Sequence, residues 1–288
     1  MNMGKFKENI CKSVNKLFRL PVHPFNLQRD GVKTYAEWQF EKGAETIKFF
    51  LEYSTVEEMF KDKTVLDIGC GAAGKTLYYA SCGVKKIYGT DVVSKYKEES
   101  LALAIDKNLT DRFEFVLADV SNLPFKDETF DTIVMNDAME HLSKPVEMLN
   151  ECHRVLKPKG RLYVNFPPYY HPYGAHLSDL IGIPWVQIFF DDVTLIGVYK
   201  DLAKNLPDGE ERVRFRISKD ENGKEFFSYI NKMTVKKFKS IYPDAKLSLV
   251  YYREIPLRNY LKLFVKTPMI KEFFVKMVVA VFEKNHKF

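Results

Sequence analysis

Residues 65–76 read VLDIGCGAAGKT. An apolar run, an aspartate and the glycines Gly69, Gly71 and Gly74 match GxGxxG, the turn that ends a strand and opens a helix so that a nucleotide can approach the bare backbone. With Lys75 and Thr76 the same residues also match the phosphate-loop pattern GxxxxGK[ST]. Neither pattern alone decides the ligand. Both sit at the carboxyl edge of a parallel sheet, so the fold class can be read outward from here.

From residue 63 onward, short β-rich runs alternate with helical stretches. The runs are KTVLDIG (63–69), KKIYGTD (85–91), FEFVLAD (113–119), FDTIVMND (130–137) and GRLYVNF (160–166). Several are apolar almost throughout, as strands covered on both faces are. Between them, SKYKEESLALAIDKNL (94–109) reads as a helix. Val146, Leu149, Cys152, Val155 and Leu156 recur at helical spacing, with Pro145 near the start and Pro158 and Gly160 past the end. This predicts an α/β fold with a doubly wound, mostly parallel sheet. Four regions are expected: an N-terminal helical segment over 1–58, a ligand-binding core over 59–166, a cap insertion after strand five over 167–232, and the remainder of the sheet domain over 233–288. In that last region TVKKFKSIY (234–242) predicts a helix, and KLSLVYYREI (246–255) and FVKMVVAVFEKN (274–285) predict strands. The last run is rich in β-formers and its uncharged core is far too short to span a bilayer.

Composition narrows the function classes. The 288 residues are 46% hydrophobic and 28% charged, which excludes disordered and collagen-like chains. Cys11, Cys70, Cys82 and Cys152 are too few and too irregular for a disulfide framework, and they form no pattern for a metal, so a reducing cytoplasm is expected. No secretory signal or 18-residue uncharged run is present. The net charge of +6 belongs to the ends: residues 1–20 carry five Lys/Arg against one acid, and residues 256–288 carry seven against two. Basic ends of this kind suit solvated helix faces or peripheral contact with an acidic membrane surface. Nucleic acid is not an expected partner, since no RNA-binding motif accompanies the charge.

Charge also ranks the ligands of the glycine loop. Asp67, Asp91 and Asp119 fall at or near the carboxyl ends of the first three strands, where such folds bind ligand. Each carboxylate about 6 Å from a phosphate opposes it by roughly 3 kcal/mol at an effective dielectric of 20. A phosphate-loop NTPase would need a metal to offset this, with Asp137 as its ligand. NAD fits the spacing of Asp91 beyond Gly69 but gains nothing from Asp119. A nucleoside carrying a sulfonium, an amino group, a ribose diol and an adenine amine suits all three acids, because carboxylates accept from ribose hydroxyls and from adenine N6.

The ordered motifs VLDIGCGAAGKT, YGTDV, LADVSNLPFKDETFDTIVMNDAMEHL and VLKPKGRLYVNFP resemble the class I S-adenosylmethionine-dependent methyltransferases, specifically the type 11 group that includes ubiquinone and menaquinone biosynthesis methyltransferases. The resemblance covers about residues 63–168. It implies a Rossmann-like seven-stranded sheet and S-adenosylmethionine as cofactor. It further implies that Asp67, Gly69, Cys70 and Gly71 line the methionyl and ribose side, and that Asp91 and Val92 hold the ribose and adenine edge. Asp119 and Val120 would frame the adenine, and Asn136 would lie under the methionine portion. The departure from the pattern is Lys75-Thr76.

Methyl transfer is an in-line displacement at an activated carbon, so the protein mainly positions the acceptor, and a base is needed where the acceptor carries a proton. His141 is the candidate base, with Glu140, His171 and His176 as further candidates. FPPYY (166–170) echoes the [DN]PPY signature of amino-group methyltransferases, but it follows the fifth strand and not the fourth, so Pro167-Pro168 reads as a rigid exit into the insertion. The insertion supplies Tyr169, Tyr170, Tyr173, Trp185, Phe189 and Phe190, an aromatic set suited to an apolar acceptor. Upstream, Tyr35, Trp38 or Gln39 is expected near the cofactor. The acceptor is expected to be a small or lipid-linked molecule, methylated at oxygen, nitrogen or carbon. A methyltransferase-like module that binds without turnover is the other reading.

Overall fold

The computed structural model describes residues 3–267 and 270–285. Among the described residues nine strands form in chain order: β1 Thr64–Ile68, β2 Lys86–Asp91, β3 Phe113–Leu117, β4 Phe130–Asn136, β5 Leu156–Phe166, β6 Ile217–Lys219, β7 Glu225–Phe227, β8 Ser248–Pro256 and β9 Val275–Glu283. Seven make one sheet in the order β3-β2-β1-β4-β5-β9-β8, and β6 pairs with β7 apart from it. Neighbours from β3 to β5 run parallel, while β9 runs antiparallel to β5, with Leu162 opposite Phe282. The mostly parallel seven-stranded sheet expected from the sequence is therefore present. Order reverses between β1 and β4, because the chain runs outward from β1 to β3 and then returns to build the other side.

The chain divides into two compact units. The sheet unit comprises Lys33–Phe166, Val235–Ile255 and Met277–Phe288. The central strands β1 and β4 are buried nearly end to end, as the apolar runs required, whereas β8 at the edge is half-buried along most of its length. Helices start where the chain supplies caps. Thr34 and Glu37 form a capping box for Tyr35–Ile47, Thr55 and Glu58 do so for Val56–Phe60, and Pro145 opens Pro145–Val155. The Phe60 and Tyr79 rings stack at 5.1 Å and Phe50 meets Tyr163 edge-on, all four fully buried or nearly so. Each such ring contributes about 1.5–3 kcal/mol by leaving water.

The second unit comprises Met1–Val32, Pro167–Thr234 and Pro256–Lys276. The expected N-terminal segment thus divides at Val32 between the two units, and the insertion begins where β5 ends at Phe166, at the proline pair. This unit has an apolar core of its own, including Cys11, Leu177, Ile181, Leu195, Val198 and Tyr199. Lys7 and Lys12 on the helix Met3–Asn15 pair with Asp191 and Asp201 at 2.9 and 2.8 Å, joining it to the helix Asp192–Ala203. Asp179 is fully buried; it takes a hydrogen bond from the Tyr199 hydroxyl at 2.8 Å and ion pairs from Arg212 and Arg216 at 3.0 and 3.1 Å. Among the described residues, no helix is long and apolar enough to cross a membrane.

Two glycines set the spacing of the helices beneath the ligand edge. A Cβ on Gly74 would lie 1.9 Å from the Ala36 carbonyl oxygen, and one on Gly43 would lie 2.3 Å from the Tyr78 ring. The helices Tyr35–Ile47 and Gly74–Ser81 therefore approach backbone to backbone at Gly74 and backbone to side chain at Gly43. Gly74→Ala is expected to lower stability by about 1–3 kcal/mol through overpacking, read from urea denaturation midpoints. An unchanged midpoint would show that the two helices have room to separate.

Candidate functional site

The glycine loop follows β1 at the point where strand order reverses. Gly69 and Gly71 adopt positive φ, +68° and +56°, as does Ala73 at +59°. A side chain on Gly69 would meet the Ala138 Cβ at 2.7 Å, so this glycine answers both to its backbone angle and to close packing.

Four polar systems hold the loop. Asp91, the last residue of β2, accepts the Gly71 amide on Oδ2 and the Val93 amide on Oδ1, both at 2.9 Å. Burial raises its pKa, and the Val93, Gly71 and Val92 amides act in the opposite sense. Gln39 is buried; its Nε2 donates to the Cys70 carbonyl at 3.3 Å while its Oε1 accepts the Gly74 amide at 3.2 Å. Asp67 accepts the Thr76 hydroxyl at 2.6 Å. Lys75 pairs with Asp137 at 2.6 Å, its side chain mostly buried. The two residues that complete the phosphate-loop pattern are thus both engaged inside the fold. Asp137, which that pattern would assign to a metal, is the partner of the lysine.

The other expected residues take distinct places. Asp67 is 3% exposed, and burial pushes its carboxyl up to about 7 against the Thr76 bond and Lys75. Cys70 is buried and its thiol is pushed well up by burial, which makes it a packing residue and not a nucleophile. Val92 is exposed and Val120 half-buried. Asp119 is exposed and accepts the Ser121 amide and hydroxyl at 2.8 Å, bonds that hold its carboxyl below the usual range. The Ala118 amide donates to the Asp91 carbonyl at 3.1 Å, so the segments bearing Asp91 and Asp119 are neighbours. Asn136 is buried in a chain that crosses three elements: the Asn165 amide donates to its oxygen at 2.6 Å, and its own amide donates to the Tyr79 hydroxyl at 3.0 Å. His141 is half-buried on the turn Met139–His141, its Nε2 3.8 Å from the buried Glu140 carboxylate. Burial, and then Asp137, push Glu140 well above the carboxylate range.

Sequence reading named Gln39 only as a neighbour and missed its clamp on both sides of the loop. It also missed the Asp67–Thr76 and Lys75–Asp137 pairs. The available signal was the mismatch itself, a lysine and threonine placed for phosphate in a loop preceded and followed by acids.

The raised pKa of Asp67 makes stability depend on pH. The folded chain holds this proton more tightly than the unfolded chain, so the contribution is full below about pH 4 and declines as pH rises through 7. Asp67→Asn is expected to flatten the stability profile between about pH 4 and 7, by a total of order 1–4 kcal/mol. Parallel profiles for the two proteins in urea titrations would contradict this.

Comparison with known proteins gives the same picture. Residues 66–164 match the family described as methyltransferase domain, type 11. A demethylmenaquinone methyltransferase of Chlamydia muridarum is 36% identical over 103 residues, 33% of this chain and 44% of that protein. The tocopherol O-methyltransferase of Arabidopsis thaliana is 31% identical over 108 residues, 38% of this chain and 31% of that protein. The chain thus spans less than half the length of these curated relatives. A solved structure of geranyl diphosphate methyltransferase in complex with S-adenosylmethionine superposes with a TM-score of 0.53 over 84% of this chain and 85% of that one, at 14% identity, and so shares the fold. The glycine loop and the acid after β2 therefore lie in a stretch, residues 66–164, that matches the methyltransferase domain family, and the sheet around them has the fold of the solved methyltransferase.

Proposed function

We propose that the chain is an S-adenosylmethionine-dependent methyltransferase acting on a small-molecule or lipid-linked acceptor at oxygen, nitrogen or carbon. One observation carries the reading. The loop's only lysine is already neutralised by Asp137, while the Asp91 carboxylate lies against the Gly71 amide. A polyphosphate would meet that carboxylate while the loop's lysine is already paired, an opposition of roughly 3 kcal/mol for a separation near 6 Å. A cationic nucleoside meets no such opposition.

The donor set fits that cofactor. A carboxylate oxygen has two acceptor positions, and each oxygen of Asp91 has given one to an amide, which leaves capacity for the ribose hydroxyls. In this proposal Asp67, Gly69, Cys70 and Gly71 take the methionyl and ribose side, and Val92, Asp119 and Val120 the adenine edge. Asn136 lies under the methionine portion, held by Tyr79 and Asn165. When bound, the cofactor supplies a methyl carbon made electrophilic by its positive sulfur.

The protein's own work is then to align the acceptor, exclude water and take its proton. His141 would take the acceptor's proton, while the bound cofactor would supply the methyl carbon and keep the carbon–sulfur electron pair as a neutral thioether. The names of the relatives, methyltransferases for demethylmenaquinone and tocopherol, support a small or lipid-linked acceptor. The insertion over 167–232 is the proposed source of acceptor selection. The four free cysteines support a reducing, cytoplasmic setting.

Asp91→Ala is expected to weaken S-adenosylmethionine binding by about 1–3 kcal/mol in isothermal titration; an unchanged affinity would remove Asp91 from the site. Lys75→Ala is expected to leave that affinity within about threefold, because the lysine faces Asp137 and not the ligand. With a proton-bearing acceptor, His141→Ala should lower kcat by about 100-fold or more while cofactor affinity stays constant. Equal losses in both would make His141 a packing residue.

A further inference from the structure

The unit built from the chain start and the insertion carries apolar surface that its own core does not use. Between β8 and β9 the chain leaves the sheet through the short helices Asn259–Leu261, Lys262–Val265 and Lys271–Phe274. This excursion exposes Tyr260 at 79% and Leu263 at 75%, together with Phe264 and Ile270. Arg258, Lys262 and Lys266 are exposed among them, and residues 256–276 carry five Lys/Arg against one acid. The helix Met3–Asn15 shows the same doubling of character. Cys11 and Val14 face the core, whereas Met3, Phe6 and Ile10 recur at helical spacing in solvent, followed by the exposed Leu17 and Phe18. The Lys7–Asp191 pair sets the first turns of this helix beside the junction of the helices Val186–Phe189 and Asp192–Ala203, where Phe189 and Val193 are both about 70% exposed.

Large apolar side chains interleaved with cations match the interface of a bilayer with anionic headgroups. There the rings and aliphatic groups enter the acyl boundary while ammonium and guanidinium groups meet phosphates. An acidic peptide or an RNA would use the cations and leave the apolar groups in water. A second copy of this chain would cover the apolar groups but bring the same positive charge against itself. We propose that this unit docks on anionic lipid bilayers through Tyr260, Leu263 and Phe264 with Arg258, Lys262 and Lys266, and that Met3, Phe6 and Ile10 provide a second insertion. The proposal stands on surface chemistry alone and is independent of the transferase reading.

Co-sedimentation of the full chain with vesicles tests it. The wild type is expected to bind phosphatidylcholine vesicles containing about 30% phosphatidylserine and to ignore pure phosphatidylcholine. Binding should fall at least tenfold between about 0.1 and 0.5 M salt. Lys262→Glu with Lys266→Glu is expected to lower partitioning by at least about tenfold, at roughly fivefold per basic residue. Leu263→Ser with Phe264→Ser should lower it by a similar factor, with circular dichroism unchanged. Tyr260→Ser, at a side chain almost wholly in water, provides the same readout where the double variant loses its spectrum. Failure to bind anionic vesicles, equal binding by the variants, or a dimer in light scattering that Leu263→Ser with Phe264→Ser dissolves would each overturn the proposal.

Discussion

The site depends on a single carboxylate. Asp91 ends β2 and receives one amide from the glycine loop and one from the turn that follows its own strand, so it ties β1's loop to β2. A half-buried carboxylate that accepts backbone N–H groups is stabilised by charge-assisted bonds and makes the turn around it rigid. It also occupies, with negative charge, the amide that a phosphate would otherwise draw on. Lys75 is withdrawn in the same way by Asp137, and Thr76 by Asp67. The loop thus carries the letters of a phosphate-binding turn while its electrostatics favour a different ligand. The departure from the family pattern at Lys75-Thr76 becomes a set of internal hydrogen bonds that hold the loop to its neighbours.

Both units use buried polar groups, for different ends. In the sheet unit, Asn165, Asn136 and Tyr79 form a chain from β5 through β4 to the helix after the loop. A hydrogen-bonded chain of this kind fixes side-chain orientation where apolar contacts would permit several arrangements, although Asn165 Oδ1 has no partner among the described residues. In the other unit, Asp179 is shared by two buried arginines and a tyrosine hydroxyl. Such a cluster adds little net stability relative to apolar packing, but losing the carboxylate alone would take the Asp179 ion pair from the buried Arg216, while Arg212 would keep Asp208 at 2.8 Å. Arg216 also lies over the rings of Phe25, Tyr199 and Tyr229, so its charge is met by aromatic faces as well.

Most of the sheet was legible because its signals are local. A strand buried on both faces is apolar along its length, and a glycine turn between a strand and a helix is a pattern of a dozen residues. The β5 strand begins at Leu156, ahead of the expected 160, because Lys157, Pro158 and Lys159 interrupt the apolar run without ending the strand. The second unit was not legible, since it assembles from three segments far apart in sequence, and nothing in the periodicity of residues 3–32 marks them as partners of the insertion. Asp91 ends β2, and Gly69 and Gly71 form the turn after β1, which are the places in the fold that the local pattern gives them. Asp67 occupies its expected position but lies buried, because the side chain that satisfies it, Thr76, comes from the helix that the loop opens.

The central claim is that this acid-rimmed glycine turn selects a positively charged nucleoside over polyphosphate cofactors. Thermal denaturation of the wild-type chain in parallel with S-adenosylmethionine, S-adenosylhomocysteine, NAD and MgATP tests it most directly, since a ligand of the folded state raises the midpoint by mass action. At about 100 times the dissociation constant a bound cofactor adds about 2.7 kcal/mol. The account predicts a rise of several degrees with the first two compounds and none with NAD or MgATP at the same concentration. A rise with MgATP that disappears in Lys75→Ala, with no response to S-adenosylmethionine, would contradict it.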